Sequence, residues 1–123
     1  VPLPPPYQTA TGIRIEHLAA GTGPALMPGE RVRVQYELRT REGRVLDSVN
    51  SFEAIVGMGG FRGWDETLGE MSVGDSVRAT IPAGHGGPGA RRPAAIPAGE
   101  ELILDIVVLE LLPPEAVPSS LEP

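Results

Sequence analysis

The sequence predicts an α+β domain in which an antiparallel sheet wraps one short helix. Three observations carry that expectation. Several stretches alternate apolar and polar residues with the period of two that a half-buried strand requires. One stretch has the spacing of an amphipathic helix, and none offers the helical crossover that parallel strands need.

The elements follow in order. Residues 1–11 are Pro-rich and polar and read as an N-terminal tail or linker, with Val1-Pro2-Leu3-Pro4-Pro5-Pro6 as a stiff polyproline-II spacer. Ile13-Arg14-Ile15-Glu16-His17-Leu18 alternates as a first strand, and Gly21-Thr22-Gly23-Pro24 turns the chain. Residues 31–40 alternate more cleanly: Val32, Val34, Tyr36 and Leu38 share one face, while Arg31, Arg33, Gln35, Glu37 and Arg39 share a wet one. Residues 41–44 turn a hairpin into a strand at 45–48, and a further short strand follows at 52–56. Gly57-Met58-Gly59-Gly60 holds too much glycine for regular structure.

The helix comes next. Trp64, Leu68 and Met71 recur at spacings of four and three, so one helical face carries all three. Residues 76–81 alternate again with Val77, Ala79 and Ile81 inward. Residues 82–99 form a long Gly- and Pro-rich loop of a kind that is usually functional. Residues 102–112 are apolar on both faces, as a covered central strand is. Residues 113–123 form a second Pro-rich tail, which leaves 12–112 as the domain.

Composition excludes much chemistry. Sixteen acidic against ten basic residues give a net charge of −6, a field that repels phosphate backbones and argues against nucleic acid. Every basic residue is arginine, so no lysine can serve as base or Schiff-base partner. With no cysteine there is no thiolate ligand or nucleophile, and His17 and His85 have no partner at metal-ligand spacing, so neither metal nor cofactor is expected. The longest apolar run, Ile106-Val107-Val108-Leu109, is too short for a transmembrane segment. Gly84-His85-Gly86-Gly87-Pro88-Gly89 lacks the Lys-Ser/Thr of a phosphate cradle, and Ser48, Ser51, Ser72 and Ser76 lack a nucleophile elbow.

What remains is an apolar set with one carboxylate and one phenol: Tyr36, Leu46, Asp47, Phe52, Phe61, Trp64, Ile96 and Leu104. The chain holds one tryptophan, two tyrosines and two phenylalanines, so an aromatic pocket must draw on almost all of them. Trp64 either floors such a pocket or anchors the core, the commoner use of a large aromatic.

Certain segments carry a family resemblance. Val34-Gln35-Tyr36-Glu37-Leu38, Glu42-Gly43-Arg44-Val45-Leu46-Asp47-Ser48, Arg62-Gly63-Trp64-Asp65-Glu66 with Met71-Ser72-Val73-Gly74-Asp75, Ile96-Pro97, and residues 102–111 with Asp105 resemble the FKBP-type peptidyl-prolyl isomerases in order and nearly in spacing. The resemblance spans about residues 12–112. It implies an FKBP-like bent antiparallel sheet around a short helix, with a shallow apolar pocket that takes a proline ring over the indole. By that resemblance Trp64 is the pocket floor, and Phe52, Phe61, Ile96 and Leu104 are its walls. Asp47 falls beside the Tyr36 phenol, and the Phe61 backbone N–H falls where the family donates to the substrate carbonyl. Asp47, Tyr36 and Phe61 would thus be catalytic, and Leu46, Phe52, Trp64, Gly87, Ile96 and Leu104 would touch substrate.

The expected function is a peptidyl-prolyl cis-trans isomerase that assists folding, with no cofactor. Its expected partners are proline-containing peptides or unfolded clients, and macrolides weakly; a monomer is expected. Leu46, Gly87 and Leu104 stand where the family has aromatics, which implies reduced activity. The same losses favour an alternative, a non-catalytic FKBP-like peptide-binding or chaperone module. A structural domain on a Pro-rich tether is a third and weaker reading, and Asp47 by itself also reads as a turn carboxylate after the hairpin. The Pro-rich start without Met favours an exported or envelope-tethered protein, with the cytoplasm still open.

Overall fold

The computed structural model describes residues 3–59, 61–85 and 99–113. In chain order these form β1 (Tyr7–Gln8), β2 (Arg14–Ala19), β3 (Arg31–Thr40), β4 (Val45–Ile55), α1 (Arg62–Gly69), β5 (Ser76–Ile81) and β6 (Leu102–Leu112). The strands make one antiparallel sheet in the order β1-β2-β5-β6-β3-β4. The α+β expectation therefore holds. Alternation dictates which face is buried: Val32, Val34 and Leu38 of β3, Val77, Ala79 and Ile81 of β5, and Leu102, Leu104, Ile106 and Val108 of β6 all enter one core.

The opposite sheet face is charged. Arg39 and Arg78 close on Asp105 at 2.6 and 2.8 Å, and Arg31 pairs with Glu53 at 3.0 Å. The alternating arginines of β3 thus keep that face wet, which pins the register against a one-residue slip. β6 lies between β5 and β3, the central place its apolar character called for.

Helix α1 covers the inner face. Trp64 and Leu68 are buried from it, while Met71 lies just past its end, also buried, because the helix stops at Gly69 and the chain tightens through Glu70 N–H to Thr67 O at 3.1 Å. Gly63 brings the helix close to β5: a Cβ there would fall 2.9 Å from Ile81 Cδ1 and 3.1 Å from its Cγ2, so any larger residue requires the buried Ile81 side chain to shift.

Two expectations need correction. Residues 45–48 and 52–56 are not separate strands but parts of the single strand β4, joined through a β-bulge. The segment read as a tail, residues 1–11, contributes β1: Tyr7 pairs with Ile15, its ring stacks on His17 with centroids 6.2 Å apart, and its hydroxyl donates to Glu70 at 2.9 Å. Thr11 then donates to Glu66, so the stretch from Tyr7 to Thr11 is laced to the helix.

Candidate active site

The site is built where β3, the edge strand β4 and the start of α1 meet. Val34 pairs with Phe52 but Tyr36 pairs with Val49, so β4 carries one extra residue between Val49 and Phe52. That bulge decides the chemistry. Asp47 and Phe52 are an odd number of positions apart, and in a regular strand their side chains would leave by opposite faces. With the bulge, Asp47 opposite Leu38 and Phe52 opposite Val34 both reach the inner face.

Three rings meet there edge to face. The Tyr36 and Trp64 centroids are 4.9 Å apart at 78°, Phe52 and Trp64 are 6.1 Å apart at 84°, and Tyr36 and Phe52 are 5.8 Å apart at 81°. Trp64 is 8% exposed and Phe52 44%, so the indole is a recessed floor and the phenyl a rim. Between them opens a cavity of about 390 Å³. β3 lines it with Tyr36 and Leu38, and β4 with Asp47, Phe52, Glu53, Ala54 and Ile55. The loop into the helix adds Met58, Gly59 and Phe61.

One hydrogen bond organises the polar side. The Tyr36 hydroxyl donates to Asp47 Oδ2 at 2.6 Å, and the phenol's titration is pushed up to about 12, by burial first and then by the bond to Asp47 and its charge. Tyr36 is therefore a fixed donor at neutral pH. Phe61 occupies the N-cap position with extended backbone, φ −132° and ψ 115°, and its carbonyl accepts the Asp65 N–H at 3.0 Å.

The structure brings together Tyr36, Asp47, Phe52, Phe61 and Trp64 of the expected set. Two others fall elsewhere. Leu104 is 1% exposed within the core, opposite Leu38 and Ala79 on a central strand, and Leu38 rather than Leu104 faces the cavity. Leu46 is the extra residue of a second irregularity, between the Leu38–Asp47 and Arg39–Val45 pairs, and packs half-buried against the core without lining the cavity. Gly87 and Ile96 lie outside the described residues. Sequence reasoning missed Leu38, although its place two residues after Tyr36 was signal enough. It also missed Glu53, Ala54, Ile55, Met58 and Gly59, of which only Ala54 had a pattern to reveal it, two residues after Phe52.

Among the described residues no three His, Asp or Glu side chains converge as a metal site. His85 instead is buried against α1, its Nε2 3.0 Å from Thr11 Oγ1 and 3.2 Å from Glu66 Oε2.

Comparison with known proteins agrees with this geometry. Residues 23–109 match the family described as FKBP-type peptidyl-prolyl cis-trans isomerase. The chain is 36% identical over 104 residues to FK506-binding protein 4 of Neurospora crassa, covering 81% of this chain and 22% of that protein. It is 36% identical over 101 residues to FK506-binding protein 4 of Dictyostelium discoideum, covering 78% of this chain and 27% of the relative. The chain thus spans about a quarter of the length of these relatives. Among solved structures, FkpA from Escherichia coli superposes with a TM-score of 0.73 at 24% identity, over 89% of this chain and 53% of that one. A peptidyl-prolyl cis-trans isomerase from Pseudomonas syringae pv. tomato gives 0.71 at 24% identity, over 86% and 80%, and both likenesses show the fold. With the sheet, the indole-floored cavity and the matched span in agreement, the chain belongs to the FKBP-type peptidyl-prolyl cis-trans isomerase family.

Proposed function

We propose that this domain is a peptidyl-prolyl cis-trans isomerase acting on X-Pro bonds of flexible or unfolded chains, with activity below that of family members whose pockets are fully aromatic. The observation that carries the proposal is the recessed Trp64 indole beneath an open apolar cavity, with the Tyr36–Asp47 pair on one side. Rotation about an X-Pro bond is opposed by amide resonance, with a barrier of about 18–20 kcal/mol. The twisted amide is less dipolar than the planar one and loses less when water is excluded. An apolar floor that holds the pyrrolidine ring therefore favours the twisted state over the planar one, which is the differential binding that catalysis needs. No proton has to move. Tyr36 keeps its hydrogen throughout the neutral range, and Asp47 acts by orientation and charge.

The expected partners are proline-containing peptides and unfolded client proteins, with macrolides bound weakly, and the working unit is a monomer. The test is cis/trans exchange in proline tetrapeptides with varied residues before proline. Acceleration that disappears in Trp64→Ala is the expected outcome; no acceleration even at high protein concentration removes the enzyme.

A second reading has its own support. With Leu46 half-buried against the core and Leu104 inside it, only four aromatics among the described residues line the cavity, Tyr36, Phe52, Phe61 and Trp64, which suits a peptide-binding or chaperone module without turnover. Proline peptides that perturb Trp64 fluorescence without faster exchange would select it.

A further inference from the structure

We infer that Asp65 is a positioning residue for the proline pocket: its carboxylate clamps the Gly59 backbone against the indole edge and so sets how the loop wall meets the Trp64 floor. The inference rests on the isomerase reading and deepens it. Asp65 stands in the first turn of α1, directly after Trp64, and its Oδ1 accepts the Gly59 N–H at 2.7 Å. Gly59 is itself a cavity residue, between Met58 and the helix start. The clamp spans six residues and closes the loop that supplies Met58, Gly59 and Phe61 to the pocket.

The steric side of the contact is as telling as the polar side. A Cβ built on Gly59 would lie 2.4 Å from Trp64 Cδ1, 2.9 Å from Trp64 Nε1 and 2.9 Å from Asp65 Oδ1. No φ in the left-handed region is involved, so the need for glycine here comes from close approach alone. Gly59 is therefore pressed onto the pocket floor by a residue that never enters the pocket. Its neighbour Met58 is 73% exposed and makes a turn hydrogen bond from its N–H to Ile55 O at 3.1 Å. The clamp at Gly59 is thus the tie between this exposed stretch and the helix.

A carboxylate in the first turn of a helix also complements the helix dipole, and that ordinary role makes a different forecast. Dipole stabilisation depends on charge and leaves the loop alone. Clamping depends on an acceptor oxygen at the right place, which Asn retains and Ala does not.

The experiment uses the full chain, with Kd for a proline tetrapeptide from Trp64 fluorescence and kcat/KM from cis/trans exchange. Asp65→Ala is expected to raise Kd about fivefold and lower kcat/KM by the same factor with kcat little changed, the scale of one hydrogen bond. Asp65→Asn should recover most of that loss. Gly59→Ala should weaken binding similarly, and combining it with Asp65→Ala should add little, because both release one contact. In the unaltered chain the Gly59 amide should be protected from hydrogen exchange.

Unchanged Kd in Asp65→Ala, an Asn variant as weak as the Ala variant, or a Gly59 amide that exchanges at the rate of an open loop would each overturn the clamp. The two readings fail separately: a parent chain that binds the peptide without accelerating exchange removes the isomerase alone, and the clamp is then decided by Kd and amide protection.

Discussion

Leu104 illustrates how a single side chain can occupy a familiar position and a different environment. The family resemblance placed it on the pocket wall, but it is 1% exposed on the inner face of β6, packed beside Leu38 and Ala79. Enlarging it should fill no groove. Leu104→Phe is expected to overpack a closed core and cost about 1–3 kcal/mol, read as a lower urea midpoint, with no gain in affinity for proline peptides. A tighter peptide complex in that variant would return Leu104 to the wall. The residue types that matter most were legible in the sequence, since Tyr36, Phe52, Phe61 and Trp64 are four of only five aromatics and all four line the cavity. Gly59 and Met58 were not legible, because a glycine-rich stretch has no periodicity and its contacts depend on where the helix happens to hold it.

At the scale of elements, β3, β5 and β6 were readable because their alternation coincides with burial on one face. β4 and β1 were harder for opposite reasons. In β4 a bulge shifts the phase between Val49 and Phe52, so one strand looks like two when read by period. In β1 only Tyr7 and Gln8 pair, too few to show any period, and what secures them is long-range: the His17 ring beneath Tyr7 and Glu70 beyond it. Tyr7→Ala removes both contacts, and its effect belongs to this edge of the sheet rather than to the cavity, which β1 does not line. Stability is expected to fall by about 1–2 kcal/mol in thermal or urea unfolding, from lost ring packing and one hydrogen bond, while peptide affinity stays the same. A variant as stable as the parent would mean that the pairing with β2 alone secures the segment.

The whole molecule carries an excess of acid, and two of its carboxylates link stability to pH. Burial pushes the Asp105 carboxyl up, but hydrogen bonds from Arg78 and Arg39 and their charges outweigh it and hold it below the usual 3.8. Glu66 behaves alike: burial raises it, and the Thr11 hydroxyl, Arg62 and His85 together bring it below 4.5. Both groups bind fewer protons in the folded chain than in the unfolded one, so their stabilisation is complete above the unfolded values and is lost as pH falls through the folded ones. The urea midpoint should be level above about pH 5 and decline below about pH 4. Asp105→Asn should lower the plateau and flatten the decline; an unaltered slope would place the acid sensitivity elsewhere. The Asp105 ion pairs lie on the sheet face away from the cavity, whereas Glu66 stands on α1 with Arg62 and His85, so acid acts on the sheet and on the helix that covers its inner face.

That the rings sit beside β4, whose sole partner among the described strands is β3, has a last consequence for what the domain can grip. A tunnel would oblige a polypeptide to thread through by one end. A hollow at the margin of a sheet, rimmed by Phe52 and Met58 in open water, lets a kinked backbone be seized sideways and released without unthreading. For the proposed isomerase, prolines deep within a long unfolded chain are then as reachable as those in a short peptide.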